Sequence, residues 1–326
     1  MIIFHEREIR EVVQINNRAI AVVEEGFTSL ATQKVAMPPI MRVDVPENNG
    51  EVDVKTAYIP GWDQFAIKVS SGFFNNYQKG LPSLSGMMLL MNTETGIPEA
   101  VLLDNGYLTD VRTAAAGAIA AKYLARENPD TVGVIGAGAQ ARYQMIALKQ
   151  VRNFKRIMVY GPTQSRVEQY AKEMEEMLGV KVKIARSPEE VVKESEVVVT
   201  TTPSRSPVIK AEWLHPGLHI TAMGSDAEHK QELEASVFSQ ADLLVCDVKS
   251  QCFRLGELHH GLEQDTISRE SEIVELAEIT SGMKSGRTDE RQITVCDLTG
   301  TGVQDTAIAV FAYDQLSARG LGMRFD

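Results

Sequence analysis

The stretch that decides the fold is Thr131-Val-Gly-Val-Ile-Gly-Ala-Gly-Ala-Gln-Ala-Arg142. A short apolar run rich in β-branched residues breaks at Gly136-x-Gly138-x-x-Ala141 and opens into a helical pattern. A strand, a glycine turn and a helix in this order are typical of a dinucleotide-binding unit, although the glycine pattern alone also fits an ordinary β–α turn. Gly136 permits the turn, Gly138 lets the backbone approach the pyrophosphate, and Ala141 lets the helix pack on the strand. The helix N-terminus then presents free amides and a positive dipole end to the phosphates.

Strand-like and helical patterns alternate through the rest of the chain, which predicts an α/β fold with an open, doubly wound and mainly parallel sheet. Ligands of such sheets bind outside the carboxyl ends of the strands. The predicted strands are Arg156–Tyr160, Val180–Ala185, Glu196–Thr202, Leu218–Met223, Asp242–Val245 and Ile293–Asp297, and the predicted helices are Ser165–Leu178, Pro188–Glu194, Lys230–Phe238 and Thr306–Leu316. The carboxyl ends that face the ligand are Gly136–Ala141, Gly161–Ser165, Thr201–Ser204 and Met223–Asp226.

The residues before the glycine turn are organised differently. Their alternation puts Arg42 and Lys68 on strand faces opposite an apolar face. The predicted order is two helical stretches within Ile9–Thr32, strands at Ile40–Val45, Glu51–Ile59 and Gln64–Ser70, a loop at Ser71–Ser85, a hairpin of Met87–Met91 with Pro98–Leu103, and a long helix from Asp110.

Length and composition indicate a globular chain of two domains, at about 150 residues per domain. Apolar residues make up 44% and charged residues 24% of the 326 positions, and 33 basic against 44 acidic residues give a net charge of −11. So acidic a chain is not expected to bind nucleic acid or an anionic membrane. No apolar run approaches about 18 residues and the N-terminus is charged, so neither a membrane span nor a signal peptide is expected. Cys246, Cys252 and Cys296 form no CxxC pair, which argues against a disulfide framework and favours a reducing cytoplasm.

Cofactor preference depends on the end of the second predicted strand. An NAD-selective site usually carries Asp or Glu there, but this chain has Gly161. No carboxylate therefore repels a 2′-phosphate, and Thr163, Ser165 and Arg166 are able to bind one. The alternative is that Ser165 caps the next helix and Arg166 is solvated. The sequence leaves NAD and NADP both open.

Three cations lie outside the predicted nucleotide domain: Arg42, Lys68 and Arg112. Together they are suited to hold a substrate carboxylate, which Arg grips with two parallel hydrogen bonds. Taken singly, each is more typical of a surface charge.

Two acidic residues near strand ends have competing interpretations. Asp226 follows a strand end that the nicotinamide is expected to reach, but Ser225-x-x-Glu228 is a capping box that would place Asp226 in a first helical turn. Asp305 is predicted to be a helix-end charge. The six histidines show no metal-ligand spacing, His259 and His260 are expected to face apart, and no metal site is predicted.

Several of these stretches together resemble the ornithine cyclodeaminase and mu-crystallin family over nearly the whole chain. The stretch from Gly50 to Tyr58 looks most similar to the branch labelled ectoine-utilisation cyclodeaminase-like, which includes iminosuccinate reductases. The stretches that carry the resemblance are Met37–Arg42, Ala66–Val69, Tyr107 to the alanines after Thr113, Gly136–Ala141, Thr200–Ser204, Met223–Asp226 and Lys230–Leu233.

The resemblance implies a homodimer with a Rossmann domain over residues 116–302 and a substrate-binding and dimerisation domain over 1–115 joined by 303–326. It implies that Arg42, Lys68 and Arg112 hold the substrate carboxylate and that Asp226 is the acid/base of the cyclodeaminases, a residue that mu-crystallin-like members lack. The Gly161 position departs from the acidic residue of NAD-using cyclodeaminases, while some reductases of the nearest branch resemble NADH users. The resemblance places Arg112 and Thr113 near a cofactor phosphate. The full set of predicted cofactor contacts is Arg112, Thr113, Gly136, Gly138, Ala139, Gln140, Ala141, Gly161, Thr163, Arg166, Thr202, Pro203, Met223 and Gly224.

The leading hypothesis is an NAD(P)H-dependent imine reductase, equivalently an amino-acid dehydrogenase, for a small carboxylated 2-imino acid. Arg42 and Arg112 would hold the carboxylate, Lys68 would polarise or protonate the imine nitrogen, and Asp226 would orient the amine. Arg254 is a candidate for a second carboxylate such as that of iminosuccinate. The alternatives are a redox-neutral cyclodeaminase that releases ammonia from ornithine or a similar diamino acid, and a non-enzymatic ligand binder like mu-crystallin.

Overall fold

The computed structural model describes residues 1–325, apart from the side chain of Tyr77, which lies in the predicted loop at Ser71–Ser85; the last residue of the predicted substrate domain, Asp326, is outside the described residues. The strands are β1 (Ile2–His5), β2 (Met41–Val45), β3 (Gly50–Ala57), β4 (Gln64–Phe73), β5 (Leu84–Asn92), β6 (Pro98–Leu103), β7 (Thr131–Ile135), β8 (Arg156–Tyr160), β9 (Lys181–Ile184), β10 (Val197–Thr200), β11 (Arg205–Ile209), β12 (His219–Ala222), β13 (Gln231–Leu233), β14 (Leu243–Cys246), β15 (Ile273–Glu275), β16 (Thr294–Asp297) and β17 (Met323–Arg324). The α-helices are α1 (Glu6–Val12), α2 (Asn17–Thr32), α3 (Tyr107–Leu124), α4 (Ala139–Val151), α5 (Gln164–Leu178), α6 (Pro188–Glu194), α7 (Ser236–Gln240), α8 (Lys249–Leu255), α9 (Glu257–Glu263), α10 (Leu276–Thr280) and α11 (Gly302–Ser317).

The chain divides into two compact units. Unit 1 consists of Met1–Thr113 and the described residues from Thr301 onward, and unit 2 is Ala114–Gly300. Among the helices of the described residues, none is both long enough and apolar enough to cross a membrane.

Unit 2 is built on a parallel sheet of eight strands in the order β9-β8-β7-β10-β12-β16-β14-β15. β7 and β10 are buried at every residue, as expected for strands covered by helices on both faces. From β7 the chain moves outward to β8 and β9 on one side, and the strands that follow lie on the other side. The switch point between β7 and β10 is where doubly wound sheets bind their ligands. The predicted α/β fold is confirmed.

One predicted helix of unit 2 is wrong. The segment predicted as helical from Lys230 to Phe238 begins with β13, which pairs with β11 in a two-stranded parallel sheet, and α7 starts only at Ser236. The Glu257 carboxylate accepts the amide protons of Glu232 and Leu233 at 2.6 and 2.9 Å. This tertiary contact outweighs the local helical pattern. No α-helix therefore follows the predicted capping box in this part of the described chain.

Unit 1 contains a seven-stranded sheet in the order β17-β1-β6-β5-β4-β3-β2, antiparallel from β6 to β2. Helix α11 packs on one side of this sheet, called the inner face. The packing is so close that a Cβ on Gly302 would lie 2.2 Å from the Thr56 carbonyl oxygen. The Thr306 hydroxyl donates to the Ala57 carbonyl at 2.8 Å and accepts from the Ala66 amide at 3.1 Å, which ties α11 to β3 and β4. The first turn of α11 is thereby held against the sheet.

One face of the unit 1 sheet carries both charged and apolar side chains and is buried. The other face is apolar and partly exposed. Lys68 lies on the inner face with the buried Ala66, opposite Lys55 of β3. On the other side, called the outer face, Met41 and Val43 of β2 are 58% and 51% exposed. The outer face continues through the partly buried Val45, Val52, Val54, Ile67, Val69 and Leu89 and the exposed Met87.

Candidate active site

Unit 1 contains a buried ion cluster centred on Asp305, in the first turn of α11. Lys68 Nζ lies 3.0 Å from its Oδ2 atom and Arg112 Nε lies 3.0 Å from its Oδ1 atom. The Asp305 side chain is fully buried. Asp305 lies at the start of the last helix, as predicted, but the close packing of α11 on the sheet also removes its carboxylate from solvent. One carboxylate thus joins two of the three predicted substrate-binding cations.

Burial and charge give the cluster an acid/base group near neutrality. Burial lowers the pKa of Lys68 to about 7, and the positive charges of Arg112 and Lys55 contribute to this shift. The Asp305 carboxylate opposes it. Burial alone would raise the pKa of Asp305, but Lys68, Arg112 and Lys55 outweigh it and lower that pKa. Asp305 is therefore a carboxylate at neutral pH, and Lys68 is able to exchange a proton there.

Gln304 adds an unused hydrogen-bond donor to this cluster. Its Oε1 atom accepts from Arg112 Nη1 at 3.0 Å and from the Thr301 amide at 3.2 Å, which fixes the orientation of the amide. The Nε2 group is buried and makes no hydrogen bond to the described residues. A buried donor without an acceptor is costly, so an acceptor from a ligand fits here.

Arg42 belongs to a second ion cluster at the edge of the same sheet. Its Nη2 atom lies 2.8 Å from Glu51 and its Nε atom 3.1 Å from Asp53, both on β3, and Asp44 lies 3.8 Å away. Its side chain is 17% exposed. The structure therefore brings Lys68 and Arg112 together on Asp305 and places Arg42 against carboxylates of its own.

Sequence reasoning missed two buried groups beside Lys68. Lys55 faces it across β3 and β4. Asp104 caps α3 by accepting the Leu108 amide at 2.7 Å, which explains why this helix starts before the predicted Asp110. Burial raises the pKa of Asp104 to about 6, against its backbone hydrogen bonds and the Lys68 charge. Only strand register, which the sequence does not specify, puts Lys55 opposite Lys68.

The glycine turn of unit 2 fits a dinucleotide pyrophosphate. Gly136 has φ +119°, and a Cβ there would lie 2.4 Å from Thr201 Oγ1, so glycine is required on both counts. Gly138 is the N-cap of α4 and supplies no side-chain cap, as is typical of helix N-termini that bind an anion. An added Cβ on Gly138 would meet no atom within 4 Å, so the approach to this turn is open.

The Glu232 carboxylate links the carboxyl ends of two neighbouring strands, β10 and β12. It accepts from the Thr200 hydroxyl at 2.6 Å, the Thr202 amide at 2.5 Å and the Gly224 amide at 2.7 Å. A Cβ on Gly224 would lie 2.7 Å from Glu232 Oε1. Burial raises the pKa of Glu232, and these hydrogen bonds oppose that shift. Two of the predicted cofactor positions, Thr202 and Gly224, are thus held by a residue without an assigned role in the sequence analysis.

The end of β8 carries no acidic side chain. Gly161 follows the strand, Thr163 is the N-cap of α5, and Arg166 is exposed. Ser165 lies inside α5, so its predicted capping role is wrong. The residues at this end accommodate either a ribose hydroxyl or a phosphate.

Asp226 and Arg254 both lie in unit 2. Asp226 is 41% exposed and pairs with Lys230 Nζ at 2.6 Å. The Ser225 hydroxyl donates to the Lys230 carbonyl, so the segment closes on itself as a loop. Arg254 on α8 is half exposed, with its Nε 3.6 Å from Glu228. Thr113 follows Arg112 on α3 of unit 1.

The fold and these two sites define a class of protein: a dinucleotide-binding α/β chain with a separate unit that carries a buried cation cluster. The model of the ornithine cyclodeaminase/mu-crystallin family matches residues 2–320, and the chain belongs to this family. It is 50% identical to a Rhizobium meliloti protein whose name places it only in the dehydrogenase class, over 100% of this chain and 99% of that one.

Two solved structures are similar over the full length of the chain. The Δ1-pyrroline-2-carboxylate reductase of Thermococcus litoralis, in complex with NADH and L-proline, is 30% identical, with a TM-score of 0.95 and coverage of 100% of both chains. The iminosuccinate reductase of Paracoccus denitrificans, in complex with NAD⁺, is 29% identical, with a TM-score of 0.90 and coverage of 100% of this chain and 99% of that one. Both neighbours are nicotinamide-dependent reductases by name and complex, and the suspected family is confirmed.

Proposed function

We propose that this protein is an NAD(P)H-dependent imine reductase, working in reverse as an amino-acid dehydrogenase, for a small carboxylated 2-imino acid. The observation that carries the proposal is the buried pair of Lys68 and Arg112 on Asp305. It combines a proton donor whose pKa is about 7 with a guanidinium suited to a carboxylate. The two imine reductases of similar structure support the same reaction class.

Arg112 and Gln304 are proposed to bind the substrate carboxylate. Arg112 uses Nε on Asp305 and Nη1 on Gln304. The buried Gln304 Nε2 group supplies a second donor. Arg42 is assigned a secondary contact, because Glu51 and Asp53 already match its charge. Arg254 remains the proposed partner of a second substrate carboxylate.

Lys68 is proposed as the acid that protonates the imine nitrogen during reduction. A bound nicotinamide cofactor supplies the hydride to the imine carbon, or accepts it in the reverse direction. The fixed Asp305 carboxylate orients the Lys68 ammonium, and Arg112 orients the substrate, so both act by positioning. Asp226 is proposed to orient the amine, with Lys230 holding its carboxylate in place.

The cofactor is proposed to lie on Gly136, Gly138 and the first turn of α4. The proposed set is Gly136, Gly138, Ala139, Gln140, Ala141, Gly161, Thr163, Arg166, Thr202, Pro203, Met223 and Gly224, with Arg112 and Thr113 near the phosphates. Because no carboxylate stands at Gly161, both NADH and NADPH are included in the test.

The test follows nicotinamide absorbance with NADH and NADPH in parallel. The substrates are imines formed from ammonia with oxaloacetate, pyruvate or glyoxylate, together with Δ1-pyrroline-2-carboxylate. Consumption of cofactor with one imine supports the proposal and identifies the substrate. Ammonia release from ornithine without net change in cofactor would instead make the protein a cyclodeaminase.

Replacing Arg112 with Ala is expected to lower kcat/KM by the equivalent of about 2–5 kcal/mol, the usual cost of deleting one partner of a buried charge-assisted pair. The effect should appear mainly with carboxylated imines. A matched control is Arg7→Ala on the exposed side of α1, an arginine with no proposed role in binding or catalysis. Unchanged kcat/KM in the Arg112 variant would contradict its assignment.

Replacing Lys55 with Met is expected to move the alkaline limb of the reductive pH–rate profile upward. Lys55 lowers the pKa of Lys68, so its removal raises that pKa and keeps Lys68 protonated to higher pH. In the wild type the rate should fall as pH rises through about 7, where Lys68 loses its proton. An alkaline limb that does not move in the variant would show that the pH dependence of the rate does not come from Lys68.

We also propose a homodimer that buries the outer face of the unit 1 sheet. A continuous apolar sheet face with exposed Met and Val is typical of a protein–protein interface. Replacing Val43 with Glu should therefore shift the protein from dimer to monomer in light scattering, because an unpaired charge would be buried. The control is Asn48→Glu in the exposed turn after β2. A wild-type monomer, or a dimer unaffected by Val43→Glu, would refute this interface.

A further inference from the structure

Helix α9 of unit 2 carries three side chains whose ligand atoms converge. His259, His260 and Glu263 each present one such atom, and these atoms all lie within 4.8 Å of one another. The two imidazole rings are 5.2 Å apart between centroids, edge to face. The prediction that the histidines face apart is therefore wrong. Glu263 follows them by four and three residues, so it lies on the helix surface beside both.

The distances from the two imidazoles to the Glu263 carboxylate are close to those between ligand atoms around a tetrahedral metal ion. Glu263 Oε1 lies 3.4 Å from His259 Nε2, and its Oε2 lies 3.6 Å from His260 Nδ1. Zinc binds nitrogen and oxygen ligands at about 2.0–2.1 Å, which puts neighbouring ligand atoms of a tetrahedron roughly 3.3–3.4 Å apart. The three ligand atoms lie within 4.8 Å of one another, so small side-chain movements would bring them to a common ion.

A hydrogen bond fixes the ring of His260 in the orientation that a metal ligand requires. Its Nε2 atom lies 2.8 Å from the carbonyl oxygen of Lys230. A carbonyl only accepts, so Nε2 carries the proton, and in the neutral ring Nδ1 presents its lone pair toward the Glu263 carboxylate. Two acceptors that face each other in this way are stabilised by a metal ion or a proton between them. Metal-bound histidines commonly donate their other N–H to a backbone carbonyl in this way.

We propose that His259, His260 and Glu263 bind a divalent transition cation, with Zn²⁺ as the ion that fits the donor set. Two imidazoles and one carboxylate suit Zn²⁺, and water completes the coordination. The Glu263 side chain is 59% exposed, which gives the ion a route from solvent. None of the three ligands is among the residues assigned to cofactor or substrate, and the site does not rest on the proposed function.

Occupancy of this site would steady the loop that carries Asp226. The Lys230 carbonyl oxygen accepts from His260, and Lys230 Nζ pairs with Asp226. An ion on Nδ1 polarises the His260 ring and strengthens the Nε2–H donor. The ion would therefore order residues 225–230.

The test is a titration of the full-length protein with Zn²⁺ in competition with a chromogenic chelator. The wild type should bind one ion per chain at this site, and His259→Ala and Glu263→Gln should each weaken the affinity at least about tenfold. His259→Ala leaves the bond between His260 and Lys230 intact, so the loop is not disturbed. The control is Glu272→Gln, an exposed carboxylate that pairs only distantly with Lys284.

The alternative is that a proton, rather than a metal ion, lies between each ring and Glu263. In that case the wild type binds no Zn²⁺ and nitrogen NMR shows both rings as imidazolium ions paired with Glu263. That result overturns the proposal, as does a wild-type affinity that both His259→Ala and Glu263→Gln retain. X-ray absorption of the zinc-loaded protein should show two imidazole ligands, and their absence would contradict the site.

Discussion

Replacing Lys68 with Met is expected to lower kcat for imine reduction by about 10²–10⁴-fold, the usual contribution of a positioned general acid. Methionine fills a similar volume without a proton to donate, so the buried space between β4 and α11 stays filled. Cofactor affinity should change little, because the proposed cofactor contacts on the glycine turn are untouched. The loss should therefore appear in kcat while the dissociation constant of NADH stays near that of the wild type.

Stopped-flow absorbance of the nicotinamide measures the chemical step of this variant, and fluorescence titration measures its cofactor affinity. The matched control is Lys34→Met, which removes an exposed lysine of unit 1. A Lys68→Met enzyme that turns over within a few-fold of the wild type would remove Lys68 from the mechanism. The acid would then have to be another group, and Asp104, whose pKa is about 6, is the next one to replace.

Replacing Asp305 with Asn is expected to destabilise the protein by roughly 3–5 kcal/mol, the cost of removing one partner of a buried ion pair. Both Lys68 and Arg112 would lose their shared counter-charge. Urea denaturation at neutral pH measures the free energy of unfolding. The control is Asp314→Asn on the same helix, whose carboxyl pKa is raised by burial and Asp63, so that its removal should cost little.

The same variant has a defined pH signature. In the wild type the pKa of Lys68 falls from 10.5 to about 7 on folding, so the unfolded chain binds more protons between these values and stability rises with pH in that window. Asp305 opposes this shift, so Asp305→Asn should lower the pKa of Lys68 in the folded protein further. The pH range in which stability rises with pH should then start at a lower pH. The deficit should therefore be larger at pH 6, where Lys68 is charged, than at pH 8. An equal deficit at both would contradict the assigned coupling.

The parallel sheet and its glycine turn could be predicted because local patterns specify them. β7 is a short β-branched run that ends at a glycine, and Gly136 adopts a backbone angle that other residues disfavour. The cofactor end of unit 2 therefore follows from residues close together in sequence. Glu232 was missed because its partners, Thr200 and Gly224, come from two other strand ends.

The ion cluster of unit 1 depends on contacts that local patterns do not encode. Asp305 meets Lys68 across 237 positions of sequence, and helical periodicity does not reveal such a pairing. One signal was available: α11 is apolar on nearly all sides, through Val303, Ala307, Ile308 and Ala309. A helix of that kind is buried, so a charge in its first turn needs a partner.

The alternation of the unit 1 strands indicated two faces but not which one the chain itself buries. An apolar face ordinarily faces the core, yet here the inner face carries Lys55 and Lys68. The ion cluster offsets part of that cost by pairing Lys68 with Asp305. The apolar side is left for the proposed partner subunit, and this choice depends on assembly rather than on local sequence.

The measurement that tests the central claim most directly is transfer of deuterium from a cofactor labelled at the reactive C4 position. The enzyme is incubated with labelled NADH or NADPH and the imine that consumes it, and the product is analysed by mass spectrometry and proton NMR. An imine reductase places one deuterium on the α-carbon of the amino acid for each cofactor oxidised. A product without deuterium, or ammonia released from a diamino acid while the cofactor pool stays unchanged, would contradict the account.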